Sequence, residues 1–177
     1  MLTAIGPQPE VALIRAAQGG DRAAFGQLYE QYEPLIHGIL IARVPYDDAE
    51  DLMQDVFVKA MQQLAGLREP AAFCGWLITI ARRVAADHLR ATRYTRDLGT
   101  APVSAPKQNA EALAILATIQ RLPETYRENL ILRLVEGMTG PEIAARTGLT
   151  PDSIRVNLCR GMKILRAHLT GHEKAKP

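Results

Sequence analysis

The chain has 177 residues, of which 47% are hydrophobic and 23% are charged, and its formal net charge is +2. This composition excludes a disordered or fibrous chain and limits the fold to one large globular domain or two small ones. Because the total charge is small, the distribution of charge along the chain must indicate any partner.

Apolar residues recur at helical spacing along nearly the whole sequence, so we predict an all-α fold. A first helix is expected from about Glu10 to Gln18, and it ends at two glycines. Asp21 then caps a longer helix that contains Pro34. A third helix follows Pro45, and a fourth opens at Pro70. The apolar face of the third comprises Leu52, Val56, Phe57, Ala60, Met61 and Leu64, and that of the fourth Phe73, Trp76, Leu77, Ile80, Ala81, Val84 and His88.

The stretch RYTRDLGTAPVSAPKQNA, from Arg93 to Ala110, has the composition of a linker, with one glycine and two prolines among small polar residues. Helical patterns return from about Asn109 to Gln120 and from Pro123 to Glu136. We therefore predict two all-helical domains joined by a flexible linker. Their expected bounds are 10–95 and 111–171, with the linker at 96–110.

The segment from Thr139 to Leu169 has the pattern of a helix-turn-helix. Thr139 and Glu142 form a capping box, and Gly148 supplies the left-handed corner. Thr150 caps the second helix, and Pro151 suits its first position. Between residues 139 and 170 there are five basic and two acidic side chains. This basic excess suits a helix that enters the major groove, although a solvated helical hairpin would have a similar pattern.

Two other stretches concentrate charge. Residues 47–55 contain five acids, and Asp51, Gln54 and Asp55 share the face opposite the apolar stripe. The helix dipole accounts for the first acids but less well for Asp55, so a basic partner is the sharper interpretation. Residues 80–96 contain five arginines and one acid, which suits nucleic acid. Dipole stabilisation, or a surface pair between Arg83 and Asp87, would explain part of this second cluster.

Signatures of enzymes, cofactors and metals are missing from the sequence. There is no glycine-rich phosphate loop, nucleophile elbow or HExxH motif, and the four histidines stand apart from the two cysteines. We expect a non-enzymatic chain without metal or cofactor, with Cys74 and Cys159 as reduced thiols. No apolar run could span a bilayer, and the start MLTAIGPQPE lacks the features of a signal peptide. We therefore expect a cytoplasmic location without membrane insertion.

Three blocks in order resemble the extracytoplasmic-function (ECF) type of bacterial sigma-70 factor. They are DAEDLMQDVFVKA (48–60), FCGWLITIARRVAADHLR (73–90) and LPETYRENLILRLVEGMTGPEIAARTGLTPDSIRVNLCRGMKILR (122–166). The resemblance implies a sigma-2 domain, a linker and a sigma-4 domain. It also implies a specificity subunit of RNA polymerase that responds to a stress or envelope signal, with an anti-sigma factor as a further partner.

The resemblance assigns roles to particular residues. Asp51, Gln54 and Asp55 would dock on the beta-prime clamp helices of the polymerase core, and the second domain would meet the beta flap. The loop from Leu67 to Phe73 would capture a flipped base of the minus-10 element, which suits promoter opening because a pocket can hold an unstacked base. Minus-10 contacts would come from Arg82, Arg83, Asp87 and Arg90, and minus-35 contacts from Ser153, Arg155, Asn157, Arg160 and Lys163.

The sequence departs from the usual family pattern at two places. Arg83 stands where an asparagine is common in the minus-10 helix, and Asn157 stands where an arginine is common in the recognition helix. The change at Arg83 should alter the usual minus-10 preference. The loss of the arginine at 157 weakens a phosphate or guanine contact there, and asparagine favours adenine. Two alternatives to a sigma factor remain open from the residues. They are a one-component helix-turn-helix regulator, which would bind an operator without polymerase, and a helical adaptor for which Arg155 and Arg160 are dispensable.

Overall fold

The computed structural model describes residues 7–97 and 110–173. Within these ranges the chain forms α-helices and short 3-10 turns and contains no strand, as the periodicity predicts. The helices are α1 Pro7–Gln18, α2 Arg22–Ile41, α3 Tyr46–Gln63, α4 Phe73–Asp97, α5 Ala110–Gln120, α6 Glu124–Leu134, α7 Gly140–Thr147 and α8 Pro151–Glu173. We call α1–α4 the N-terminal unit and α5–α8 the C-terminal unit.

The ends of the first helices follow the local signals of the sequence. Helix α1 starts at Pro7, three residues before the expected start, and Gly20 with φ of +94° turns the chain after it. The Asp21 carboxylate accepts hydrogen bonds from the backbone N–H groups of Ala23 at 2.8 Å and Ala24 at 3.1 Å. This satisfies two donors at the start of α2, which continues through Pro34.

Aromatic side chains fill the core of the N-terminal unit. Phe73 is buried edge-on against Tyr32, with ring centroids 5.1 Å apart, and Tyr29 lies 4.5 Å from Phe57. The predicted apolar face of α3 is wrong at one position, because Met61 is 55% exposed and Met53 is buried instead. At about 100° per residue, Met61 lies roughly 100° around the helix from the buried Ala60, and so beyond the edge of the buried side.

The C-terminal unit packs smaller aliphatic side chains. Ile131, Ile143 and Ile154 are fully buried, and α8 crosses α6 closely at Gly161. A Cβ at position 161 would lie 3.1 Å from both Leu130 Cδ1 and Tyr126 Cβ, so a glycine suits this crossing. Near the end of α8, Leu165 is buried, whereas Leu169 is 38% exposed.

The predicted linker is shorter in the structure than in the sequence pattern. Helix α4 continues through Asp97, so the segment from Arg93 to Asp97 is helical, and α5 begins at Ala110. The reason is that the first helix-breaking residue after Ile80 is Gly99. The predicted linker residues 98–109 lie outside the described residues.

The two units pack against each other. Helix α2 contacts α6, and α4 contacts α7. The buried apolar residues of both units belong to one contiguous cluster. A hydrogen-bonded bridge is also present, since the Gln120 amide donates to the carbonyl oxygens of Ile41 at 2.8 Å and Val44 at 2.9 Å. The sequence suggested two units that are tethered without a defined arrangement, whereas the structure joins them through a specific contact.

Candidate nucleic-acid interface

Helices α7 and α8 form the predicted helix-turn-helix. The capping box is present: Glu142 N–H donates to Thr139 Oγ1 at 3.4 Å, and Thr139 N–H donates to Glu142 Oε2 at 2.7 Å. The hydrogen bonds that the Glu142 carboxylate accepts from the backbone N–H and the hydroxyl of Thr139 hold the pKa of Glu142 below its ordinary value. Gly148 makes the corner with φ of +74°, and Thr150 Oγ1 accepts from Ser153 N–H at 3.2 Å.

The predicted minus-35 residues lie on the solvent side of α8. Buried Ile154, Gly161 and Leu165 mark the side that faces the core. With about 100° between successive residues, Arg160 and Lys163 lie near the middle of the opposite side. Ser153 and Arg155 are exposed towards the start of the helix, and Asn157 is half-buried at one edge. The Arg155 guanidinium contacts Asp152 at 3.3 Å, and both groups are well exposed, so this weak pair leaves the cation accessible to phosphate.

The predicted minus-10 residues lie on α4, and all four are exposed. Arg83, Asp87 and Arg90 share the solvent-facing side of the helix, since they span about 60° at 100° per residue. The alternative of a surface pair between Arg83 and Asp87 is not what the structure shows, because Asp87 pairs with Arg90 instead. A spacing of three residues serves an ion pair as well as a spacing of four, and the sequence alone does not choose between them.

Arg82 is separated from the other three and takes part in an ion-pair cluster around the buried carboxylate of Glu128. Its Nη2 and Nε atoms donate to the two carboxylate oxygens of Glu128, on α6, at 2.7 Å and 3.2 Å. Arg43, at the end of α2, pairs with Glu128 and with Glu124. The side chains of Arg43 and Glu128 are each 9% exposed. Arg82 therefore joins the N-terminal unit to the C-terminal unit.

The pKa values in this cluster follow from the pairing. Hydrogen bonding to Glu128 raises the pKa of Arg82 above its ordinary value. Burial alone would raise the pKa of Glu128, but the hydrogen bond from Arg82 and the charge of Arg43 outweigh burial and lower it. Glu128 is therefore ionised at neutral pH and carries the negative charge of the cluster.

The loop before α4 is held in place by hydrogen bonds. The Gln18 amide donates to the carbonyl oxygens of Leu67 at 2.7 Å and Leu64 at 3.0 Å. Pro70 and Phe73 are buried, whereas Arg68 and Glu69 are exposed. Trp76 packs on Phe73 with centroids 5.7 Å apart, which supports a role in packing for this side chain.

The acidic face of α3 is exposed at Asp51, Gln54 and Asp55. Val58 and Met61, which are 48% and 55% exposed, extend this face along the helix with apolar surface. Beside it lies a cleft of about 410 Å³, which reaches from Gln54 and Glu50 to His37 and Glu136. The acidic face therefore adjoins the contact between the two units.

His37 and Glu136 form a second pair across that contact, with 2.8 Å between Nδ1 and Oε1. The hydrogen bond to the Glu136 carboxylate raises the pKa of His37, although burial opposes this rise. The Arg146 guanidinium lies 4.6 Å from the centre of the Tyr32 ring, and Cys74 Sγ donates to the Arg146 carbonyl oxygen at 3.0 Å. Burial raises the pKa of the Cys74 thiol to about 11, so the thiol stays protonated at neutral pH.

The sequence analysis did not identify Glu128, Arg43 and Glu136 as residues that join the two units. Their partners lie on helices that are distant in sequence. One local signal was available, because Gly38 stands in the middle of α2, where glycine disfavours a helix and usually has a packing reason.

Other classes of site are absent from the part of the chain that the structure describes. Among the described residues no three His, Cys, Asp or Glu side chains lie close enough to hold a metal ion. No helix in the described ranges is long and apolar enough to cross a membrane. Cys74 and Cys159 are free thiols.

Comparison with known proteins agrees with this arrangement. Residues 28–95 match the family Sigma-70 region 2, and residues 112–165 match Sigma-70, region 4. The chain belongs to the sigma-70 family and is of the ECF type. The two matches correspond to the N-terminal and C-terminal units and leave the stretch between α4 and α5 outside both.

Three similar proteins illustrate the relationship. The ECF RNA polymerase sigma factor RpoE of Cereibacter sphaeroides is 33% identical over 172 residues, which cover 90% of this chain and 94% of the relative. The ECF RNA polymerase sigma factor BldN of Streptomyces coelicolor is 28% identical over 166 residues, covering 86% of this chain and 63% of BldN, so the chain spans less than two thirds of that relative. The structure of CnrH in complex with the cytosolic domain of CnrY superposes with a TM-score of 0.62 at 27% identity, covering 92% of this chain and 97% of CnrH.

Proposed function

We propose that this protein is a dissociable, non-enzymatic sigma factor that directs core RNA polymerase to specific promoters and starts transcription there. The observation that carries the proposal is the presence, in one chain, of both sigma-70 regions with an exposed basic recognition helix in the second. A lone helix-turn-helix is found in many regulators, whereas the two regions together are typical of sigma factors.

Each region has a distinct role in the proposal. The exposed side of α8 would read the minus-35 element in the major groove through Ser153, Arg155, Asn157, Arg160 and Lys163. The basic side of α4 would hold the melted minus-10 strand through Arg82, Arg83, Asp87 and Arg90. Each contact is weak alone, and the polymerase gains affinity by presenting both at once.

The acidic face of α3 is the proposed docking surface for the polymerase core. Asp51, Gln54 and Asp55 are exposed there beside apolar Val58 and Met61, so the surface combines charge for steering with area for burial. The partner would be the beta-prime clamp helices, with the beta flap meeting the C-terminal unit. An anti-sigma factor is a further proposed partner, since CnrH is seen with the cytosolic domain of CnrY. The site of action would be the cytoplasm.

The test is run-off transcription with sigma-free core polymerase and a library of bacterial promoter fragments, followed by sequencing of the transcript starts. The proposal expects starts that appear only with this protein. Asp55→Ala should weaken binding to the core, and Arg155→Ala should lower transcription without changing core binding. Glu30→Ala and Arg121→Ala, at exposed positions on neither surface, serve as matched controls.

Two results would contradict the proposal. One is a core polymerase that neither binds the protein nor gains any start. The other is tight sequence-specific DNA binding by the free chain with no effect on polymerase, which would favour a one-component regulator. If transcription is restored but Arg155→Ala has no effect, the assignment of the recognition helix is wrong even though the sigma function stands.

A further inference from the structure

Helix α1 contacts both ends of the loop that joins α3 to α4. This loop, residues 64–72, consists of two 3-10 turns, Leu64–Gly66 and Pro70–Ala72, linked by residues 67–69, and α1 packs against both turns. The match to Sigma-70 region 2 covers residues 28–95, so it includes the loop but not α1. The loop is therefore supported by a helix that lies outside the family match.

Gln18, the last residue of α1, holds the first part of the loop. Its side-chain amide has two N–H donors, and it donates to the carbonyl oxygens of Leu67 at 2.7 Å and Leu64 at 3.0 Å. Leu64 ends α3, where carbonyl oxygens no longer receive N–H groups from a further helical turn. Leu67 already has extended backbone angles, with φ of −72° and ψ of 106°. The amide therefore links the end of the helix to the extended part of the loop.

Glu10, about two turns earlier in α1, supports the other end of the loop through Tyr32. The Tyr32 hydroxyl donates to the Glu10 carboxylate, and the Tyr32 ring packs edge-on against Phe73, the first residue of α4. Tyr32 and Phe73 are each 1% exposed. Between the two supports, Arg68 and Glu69 are exposed. The loop thus has fixed ends and an accessible middle.

A loop that receives an extruded base binds it more tightly when the shape of the loop is fixed beforehand. Extrusion already costs stacking and pairing energy, and ordering a mobile loop at the same moment would add a conformational cost. The Gln18 hydrogen bonds remove part of that cost, because they hold carbonyl groups that lie 46 and 49 residues away in the chain. Gln18 is half-buried and its amide donors are used, so it acts through the loop rather than by contact with DNA.

We propose that Gln18 is a positioning residue for minus-10 recognition: its amide holds residues 64–72 in the shape that accepts the flipped base. The inference rests on the proposed sigma function and on the role that the sigma-70 resemblance gives to this loop. Its structural part, the restraint of the loop by Gln18, is measurable on the free chain without polymerase or DNA.

The first experiment measures amide hydrogen exchange in free wild type, Gln18→Met and Gln27→Met by mass spectrometry. Methionine keeps the length of glutamine but has no N–H donor, and Gln27 is exposed on α2, away from the loop hydrogen bonds. The loop peptide contains two hydrogen-bonded amides, since Leu67 N–H donates to Leu64 and Ala72 N–H to Glu69, each at 3.0 Å. Its exchange should be about threefold to tenfold faster in Gln18→Met, because each lost hydrogen bond weakens the ordered loop. It should be unchanged in Gln27→Met.

The second experiment measures the affinity of core polymerase carrying this protein for the single-stranded minus-10 element of a promoter found by run-off transcription. The intact strand is compared with copies that each lack one base, and the position whose loss weakens wild type most marks the captured base. On the intact strand, Gln18→Met should bind about threefold to tenfold more weakly than wild type, because the ordering cost returns. On the strand without the captured base the two proteins should bind equally. A residue that merely stabilises the fold would weaken binding to both strands alike.

Gln18→Glu is a second variant for the case that Gln18→Met loses helical circular dichroism, with Gln27→Glu as its control. Glutamate has nearly the shape of glutamine, but its carboxylate accepts hydrogen bonds and does not donate them. Faster exchange of the loop and a loss of affinity that depends on the captured base are therefore expected again.

The outcomes separate this inference from the sigma function. Equal loop exchange in wild type and both Gln18 variants overturns the restraint, and an equal loss of affinity on the intact and abasic strands overturns the positioning role. If wild type gives no promoter-specific starts, the sigma function fails and the role in base capture fails with it, while the exchange experiment still reports whether Gln18 holds the loop.

Discussion

The two helices that are proposed to bind DNA, α4 and α8, differ in the ion pairs that their arginines make. On α8, the exposed Arg155 meets only the equally exposed Asp152 from its own helix. On α4, by contrast, Arg82 is bound in two-point fashion to a carboxylate from the other unit. The proposed minus-35 cation Arg155 thus stays accessible in the packed chain, whereas the proposed minus-10 cation Arg82 is held by an internal partner. The contact between the units therefore involves a residue of the proposed minus-10 surface.

The two cores differ as well. The N-terminal unit is built around buried aromatic rings, including Tyr32 and Phe73, and the C-terminal unit around isoleucine and leucine. Both belong to one contiguous apolar cluster. This continuity raises the question of whether the units unfold together or one after the other.

The largest expected effect comes from breaking either core. Phe73→Ala should cost about 3–5 kcal/mol and Ile143→Ala about 2–5 kcal/mol, because each leaves a cavity at a fully buried site. If the contact between the units couples them, either variant should lower a single unfolding transition, as measured by circular dichroism in urea. A separate early transition for Ile143→Ala alone would show that the C-terminal unit unfolds independently, and Val58→Ala at an exposed site is the control.

A smaller effect is expected from the helix caps, which the two units use in the same way. Asp21→Ala in the N-terminal unit and Thr139→Ala in the C-terminal unit should each cost about 1 kcal/mol, since each leaves backbone N–H groups of a first turn without their acceptor. For a chain of this size that corresponds to a fall of roughly 2–4 °C in Tm. Gln62→Ala, on the exposed side of α3, should leave the Tm unchanged.

Local features of the fold were predictable because their causes lie within a few residues. Thr139, Glu142 and Gly148 define the helix-turn-helix through capping and a left-handed corner, and Asp21 marks the start of α2 in the same manner. Periodicity also identified most buried positions, although it placed Met61 in the core. Met61 lies at the edge of the apolar stripe, where periodicity alone does not decide whether a side chain is buried.

The contact between the units was not predictable in the same way. A buried carboxylate such as Glu128 has the same local pattern as a solvated one, and its partners Arg43 and Arg82 lie 85 and 46 residues away. Asp87 could have paired at a spacing of three or four, and only the folded helix shows that Arg90 is its partner. Long-range pairing and the choice between equivalent local pairs could therefore not be predicted from the sequence. The candidate DNA-binding residues followed from the family motifs, and the transcription experiment is their test.

The smallest expected effect concerns the contact between the two units, which we expect to depend on pH through His37. His37 faces carboxylates from three elements: Glu33 on its own helix, Glu50 on α3, and Glu136 just after α6, with the Tyr46 ring edge-on at 5.8 Å. The hydrogen bond with Glu136 raises the pKa of His37 above its ordinary value of 6.5, despite the opposing effect of burial.

A group whose pKa is raised in the folded state binds its proton more tightly there than in the unfolded chain. Protonated His37 therefore stabilises the fold fully below pH 6.5, and this contribution is lost as the pH rises through the raised value. Because His37 is partly exposed, we expect a contribution of about 0.5–1 kcal/mol. The measurement is the Tm of wild type at pH 6 and pH 8, compared with His37→Gln. The wild type should lose more stability than the variant over this range, because every other ionisable group is common to both proteins. Equal pH dependence in the two proteins would show that the pair with Glu136 does not stabilise the contact between the units, which would then depend on its other ion pairs and its apolar packing.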